Sequence, residues 1–239
     1  GTYSLMAHSA EEEVARNFIC FGALDAVVVL CDATCLERNL NLVLQTIEIS
    51  PNVVVCVNLM DEAKRKNIKI NLSALSKNLG VPVVGTVARK KKSLAHLMST
   101  LDQVIDGTIQ PKPLAIRYPE DIERAIGFLQ PLLEQRVGGL LNSRWLSLKL
   151  LDQDKSLIEE ISSYLGPEFL QEPEIASALT QAIGQLQQAG ISREQLKDAI
   201  VSTLVTTAER LCVDTVTYEK ETYNAFGRKI DRILTSKRT

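Results

Sequence analysis

The run Asp25-Ala-Val-Val-Val-Leu-Cys-Asp32-Ala-Thr34, answered further on by Val53-Val-Val-Cys-Val-Asn58-Leu-Met-Asp61, decides the fold of this chain. Ala26 to Cys31 and Val53 to Val57 are short, unbroken and rich in β-branched residues, the pattern of strands covered on both faces in a parallel sheet. Between them Leu36, Leu40, Val43, Leu44 and Ile47 fall on one helical face, with Thr34 and Glu37 spaced as a capping box. This is a βαβ unit. Asn58-x-x-Asp61 stands at the carboxyl end of its second strand, where open α/β sheets take their ligands.

Working outward, Glu62 to Lys69 reads as a charged turn, Leu72 to Leu79 as a short helix and Val81 to Val84 as a strand. Gly85-Thr86-Val87-Ala88-Arg89 follows, then a helix from about Ser93 to Ile105 with Leu94, Leu97, Met98, Leu101 and Ile105 on one face. Three strand-then-helix units in a row build one parallel sheet by right-handed crossovers. That topology sets the loop after the third strand beside Asn58 and Asp61. Upstream, a helix opens at Ala10 with Glu11, Glu12 and Glu13 in its first turn, where acidic residues complement the helix dipole.

Gly107 to Pro113 is a linker by its Gly and Pro content. Helices are expected over Pro119 to Glu134, Leu140 to Leu151, Asp154 to Leu165 and Glu172 to Ala189, with a long tract from Arg193. The expected fold is an α/β domain with a parallel, GTPase-like sheet over residues 1–109, followed by an all-α helical domain over 110–239. The helical half has no cluster of His, Cys or paired acids that asks for chemistry, so it reads as a scaffolding or regulatory bundle. Trp145 is assigned to its core.

With 239 residues, 45% of them apolar, and a net charge of -2, the chain buries a sizeable core and gives no bulk-charge case for nucleic acid. No apolar run approaches the roughly 18 residues of a membrane span, and no signal-peptide pattern opens the chain. Cys20, Cys31, Cys35, Cys56 and Cys212 form no C-x-x-C pair and read as core filler in a reducing compartment. His8 beside the glutamates lacks a second firm ligand, so no metal site is assigned. Lys90, Lys91 and Lys92 read as a solvated corner. The basic stretch Arg228 to Arg238 suits the cytoplasmic face of a membrane. The chain opens on Gly1 rather than Met, which reads as the mark of a fragment.

An Asn-x-x-Asp just past a strand suits guanine. A fixed carboxylate accepts hydrogen bonds from the ring N1–H and the exocyclic amine together, and adenine offers no such pair of donors. The Asn amide serves the N7 and O6 edge and braces neighbouring loops. Such charge-assisted bonds contribute roughly 1.5–3 kcal/mol each, enough to separate the two purines. As a bare spacing the motif is also met as an Asn and Asp capping a helix that starts near Glu62.

The residues then resemble a family. Gly1-Thr-Tyr-Ser-Leu is similar to the end of the Asp-x-x-Gly motif and second switch of a small GTPase, Asn58-Leu59-Met60-Asp61 to its base-specificity motif, and Thr86-Val87-Ala88 to the loop that closes over guanine. Asp32-Ala-Thr-Cys-Leu-Glu-Arg-Asn-Leu, with Asn-Leu-Met-Asp-Glu-Ala, resembles the bacterial ferrous iron transport protein B family. In that family a cytosolic GTPase domain is followed by a helical domain and then a membrane-embedded iron permease. The resemblance implies GTP or GDP held at Asn58 and Asp61, the backbone of Ala88 near the guanine O6, and the Gly1 N–H near the γ-phosphate. It also implies the permease as a partner in the same polypeptide, small cytosolic accessory proteins of iron uptake, and a place on the cytoplasmic side of the bacterial inner membrane. Oligomeric state stays open, and no catalytic residue is assigned.

Two departures stand out. Thr2 sits where many regulatory GTPases carry a water-positioning Gln, and Val87 replaces the commoner Ser of the closing loop. No G-x-x-x-x-G-K-[ST] string occurs; Gly80 to Gly85 encloses Val-Pro-Val-Val and reads as strand and turn. The expectation is a chain lacking its phosphate-loop segment, with the Mg²⁺ ligands upstream of Gly1, and inactive in hydrolysis for that reason. Two rival readings stay open: a soluble regulatory GTPase of the same superfamily, and an interaction module that binds no nucleotide.

Overall fold

The computed structural model describes residues 4, 5 and 9–218. The expectations for Gly1, Thr2, His8 and the basic end beyond Tyr218 lie outside them. Helix α1, Ala10–Phe21, starts at Ser9, whose hydroxyl accepts the Glu12 N–H at 3.3 Å. Strand β1 (Val27–Asp32), helix α2 (Leu36–Ile49) and strand β2 (Val53–Asn58) form the expected βαβ unit. The strands pair in parallel from Val27 opposite Val53 to Asp32 opposite Asn58.

Helix α3 (Met60–Arg65), strand β3 (Ile68–Ile70), helix α4 (Leu72–Leu79) and strand β4 (Val83–Gly85) follow, then helix α5 (Lys91–Ile105). Strand β4 pairs in parallel with β2, so the sheet runs β1-β2-β4 with β2 at its centre. Val53 to Val57 are buried throughout, as a strand covered on both faces requires. Among the described residues strand β1 is an edge, and its outward residues Val28 and Leu30 are 41% and 64% exposed.

Several local expectations change. Helix α2 has Cys35 at its N-cap and no side-chain cap, so Thr34 and Glu37 make no capping box. The Asp32 carboxylate instead accepts the Thr34 N–H at 2.7 Å, an Asx turn that uses the residue the cap would have used. The charged turn after Asp61 is helix α3 and strand β3. On α5 the buried residues are Thr100 and Val104. Leu94, Met98 and Ile105 are exposed, while Leu97 and Leu101 pack with Val54, Val84 and Val104. Cys35 is exposed, whereas the other four cysteines are buried.

The second half holds helices α6 (Glu120–Val137), α7 (Ser143–Asp152), α8 (Lys155–Leu165), α9 (Pro173–Gln188) and α10 (Arg193–Thr215), then strand β5 (Val216–Tyr218). Helix α6 packs on α7 and α9, and α10 lies against α2 and α4. Strand β5 returns to pair antiparallel with β3. One apolar cluster therefore runs from Leu40 and Leu44 through Ile126, Leu129 and Trp145 to Ile200 and Leu204.

The linker is a strap. The Lys112 N–H donates to the Gly80 carbonyl and the Leu114 N–H to the Leu79 carbonyl, both at 2.8 Å, and Ile116 and Tyr118 are buried. The Tyr118 hydroxyl donates to Glu48 Oε1 at 2.7 Å, and Arg144 grips both oxygens of Glu123 at 2.6 and 2.8 Å. Burial raises the Glu48 pKa above the ordinary carboxylate range, against the smaller opposing pull of the Tyr118 hydrogen bond. A carboxyl raised in the folded state contributes stability below its unfolded pKa and loses it as pH rises through the folded value. Glu48→Gln keeps an acceptor for Tyr118 without a charge to desolvate. Its melting temperature should exceed the parent's by a few degrees at pH 8 and converge with it near pH 4. A variant that melts lower at pH 8 would show that the Glu48 charge is stabilising.

Candidate functional site: the loops after β2 and β4

Strand β2 ends at Asn58, and the chain turns sharply because Leu59 takes a left-handed conformation, φ 60°. That conformation costs a branched residue roughly 1–2 kcal/mol, and such strain persists where the surroundings fix it. Helix α3 then starts at once, so Asp61 stands in its first turn rather than ahead of a helix at Glu62.

The loop after β4 is sewn onto this turn. The Thr86 N–H donates to the Val57 carbonyl at 2.8 Å and the Met60 N–H to the Thr86 carbonyl at 3.2 Å. Asn58 Oδ1 accepts twice, from the Thr86 hydroxyl at 3.1 Å and from the Ala88 N–H at 3.2 Å. With its one proton given to Asn58, the buried Thr86 oxygen accepts from the Cys56 thiol, 3.2 Å away. Ser93 closes the far side: its hydroxyl oxygen accepts the Val87 N–H at 3.2 Å and lies 3.0 Å from the Val87 carbonyl oxygen. The Lys90 N–H donates to that same carbonyl at 2.7 Å. Lys90, Lys91 and Lys92 are exposed.

Asn58, Leu59, Met60, Asp61, Thr86, Val87 and Ala88 thus come together at the carboxyl ends of β2 and β4. The one change within the group is Ala88, whose N–H is already engaged by Asn58. Sequence reading missed three contributors. Cys56 and Ser93 brace the loop, and the Arg89 guanidinium pairs with the Asp61 carboxylate. Arg89 carried a signal: it directly follows the loop expected to close over the base, where a cation could meet Asp61. Beside the cluster, the Ala33 N–H donates to the Asn58 carbonyl at 2.9 Å, and an apolar groove of about 420 Å³ runs from Asn58 and Leu59 along the edge of β1.

Chemically, Asp61 offers a fixed carboxylate that already accepts N–H donation from a planar cation, the demand that a guanine edge makes. Among the described residues no group of three or more His, Cys, Asp or Glu is placed to hold a metal ion.

Two family models match the chain. "Ferrous iron transport protein B" matches residues 1–101, and "FeoB cytosolic helical domain" matches residues 118–217. The chain belongs to the ferrous iron transport protein B family. It is 27% identical over 240 aligned residues to the Fe(2+) transporter FeoB of Staphylococcus aureus strain MSSA476, covering 99% of this chain and 34% of that protein. The chain thus spans about a third of the length of the curated relatives it matches over nearly its whole extent.

Solved structures of the family share the fold. An S. thermophilus NFeoB mutant bound to GDP superposes with a TM-score of 0.71 at 27% identity, over 91% of this chain and 79% of that one. The cytosolic domain of the T. maritima FeoB iron transporter in a GDP form gives 0.67 at 25% identity, over 91% and 78%. The fold is a parallel α/β GTPase-like domain joined to an all-α helical domain.

The family match corrects two expectations. The model named for the transport protein itself matches from residue 1, which overturns the expectation of a chain lacking its phosphate-loop segment. The inactivity expected on that ground goes with it. Absence of one string does not amount to absence of a segment, because a domain match rests on many positions along the chain.

Proposed function

We propose that this chain is the guanine-nucleotide-binding cytosolic part of a GTP-dependent Fe²⁺ transporter, with GTP and GDP as its ligands and GTP hydrolysis as its activity. The observation that carries this reading is the cluster at the ends of β2 and β4. In it Asp61 receives an N–H of Arg89, and Asn58 pins the loop that faces it. Asp61 reads the guanine N1–H and amine, Asn58 holds Thr86 and Ala88 in place, and the 86–88 loop covers the base. Relatives whose names specify Fe(2+) transport, and solved relatives bound to GDP, support the ligand and the process. The family's helical-domain model is described as cytosolic, and among the described residues no helix is long and apolar enough to cross a membrane. The remaining length of the relatives supports a membrane permease in the same polypeptide as the partner of this part.

Titration of a fluorescent GDP analogue into the 239-residue chain, with unlabelled GDP and ADP as competitors, tests the reading. GDP should displace the probe at least about a hundredfold better than ADP, because two charge-assisted bonds distinguish the bases. Equal displacement by the two nucleotides, or no binding of the probe, would count against a guanine site.

A further inference from the structure

Arg89 is 72% exposed at its side chain, yet it lies folded against Asp61, whose side chain is only 22% exposed. Its backbone neighbour Ala88 is anchored to Asn58, so the guanidinium reaches the base-reading carboxylate from a fixed point of the backbone. The chemistry of the pair is specific. A guanidinium edge presents two parallel N–H donors from one planar carbon, and the N1–H and C2 amine edge of guanine presents the same pair from the same kind of carbon. Asp61 has one carboxylate with which to answer both.

We propose that Arg89 is an internal competitor for the base: it occupies Asp61 when guanine is absent, and guanine must displace it to bind. This rests on the guanine reading of the site. The latch holds the carboxylate in place between ligands, sparing it a rearrangement when the base arrives, and it lowers affinity by whatever the ion pair is worth. Glu62 is held by Arg65 and does not compete for Arg89.

The test compares parent, Arg89→Gln and Arg89→Lys chains by stopped-flow binding of a fluorescent GDP analogue, with ADP competition and the Arg89 Nε–H resonance as further readouts. An exposed ion pair is worth up to about 1 kcal/mol, so Arg89→Gln should bind the GDP probe roughly two- to fivefold more tightly, through faster association. Arg89→Lys, which keeps the charge but loses the paired donors, should fall between. In the parent, GDP should shift the Arg89 Nε–H resonance towards the position it takes in Asp61→Asn. If the parent prefers GDP over ADP but Arg89→Gln binds no better, or binds worse, the latch is wrong while the guanine site stands. If the parent shows no preference for GDP, the site reading and the latch fall together.

Discussion

Asp61→Asn should abolish the preference for guanine nucleotides and transfer it to xanthine nucleotides. The carboxylate of Asp61 is the group in the cluster able to accept from N1–H and the exocyclic amine at once; Asn58 spends its carbonyl oxygen on Thr86 and Ala88. An amide at position 61 keeps one acceptor and turns the other into a donor facing the guanine amine. Two charge-assisted bonds at roughly 1.5–3 kcal/mol each become one neutral bond and one mismatch, a loss of at least about a hundredfold in GDP affinity. Xanthine carries a carbonyl where guanine has its amine, and the new donor meets it. GDP and xanthosine diphosphate are titrated into both chains. Unchanged GDP affinity in Asp61→Asn would remove Asp61 from base recognition. The same substitution frees Arg89, so its effect on GDP is best measured also in the Arg89→Gln background, where the latch no longer contributes.

The parts of this molecule governed by period and strand composition were open to sequence reading. Strands β1 and β2 stand out because a central parallel strand must be apolar on both faces, and Val53 to Val57 leave no other reading. Helix α4 runs from Leu72 to Leu79 as spaced, held between Asn71, which caps it, and Gly80, which ends it. Helix α5 shows the limit. Its stripe of Leu94, Leu97, Met98, Leu101 and Ile105 is real, but periodicity reports a stripe and not what covers it, and the structure leaves three of the five exposed. Strand β3 pairs with the distant β5, Ile68 opposite Tyr218, and a three-residue strand has too little pattern to announce itself. In the site, the motif residues were legible because each follows a strand end. Ser93 and Cys56 were not, because their roles come from partners at unrelated positions, and Arg89 was marked only by its place directly after the closing loop. The Gly and Pro content of the strap reads as a linker, yet two backbone hydrogen bonds tie it to Leu79 and Gly80, and Ile116 and Tyr118 tie it to Arg144 and Glu123 in the second half.

That strap yields the largest stability effect expected outside the site. Gly80 ends α4 in a left-handed conformation, φ 70°, and a Cβ placed on it would fall within the carbonyl group of Lys112. Gly80→Ala therefore meets two costs. An L-residue in this conformation is disfavoured by roughly 1–2 kcal/mol. The clash is with backbone and cannot be relieved by rotating a side chain, so the strap must lift. Lifting it breaks the bonds from Lys112 to Gly80 and from Leu114 to Leu79, each worth about 1 kcal/mol. It also loosens Ile116 and Tyr118, which lie on the route to Glu48 and to the Arg144–Glu123 pair. The total should reach about 3 kcal/mol or more. Gly107 supplies the control, because its φ is 79° and nothing lies within 4 Å of the Cβ it would carry. Gly107→Ala meets the conformational cost alone, about 1–2 kcal/mol. Urea unfolding of the three chains separates the terms, the difference between the two variants reporting the strap itself. Equal destabilisation by both substitutions would mean that the 112–114 segment yields freely and holds nothing together.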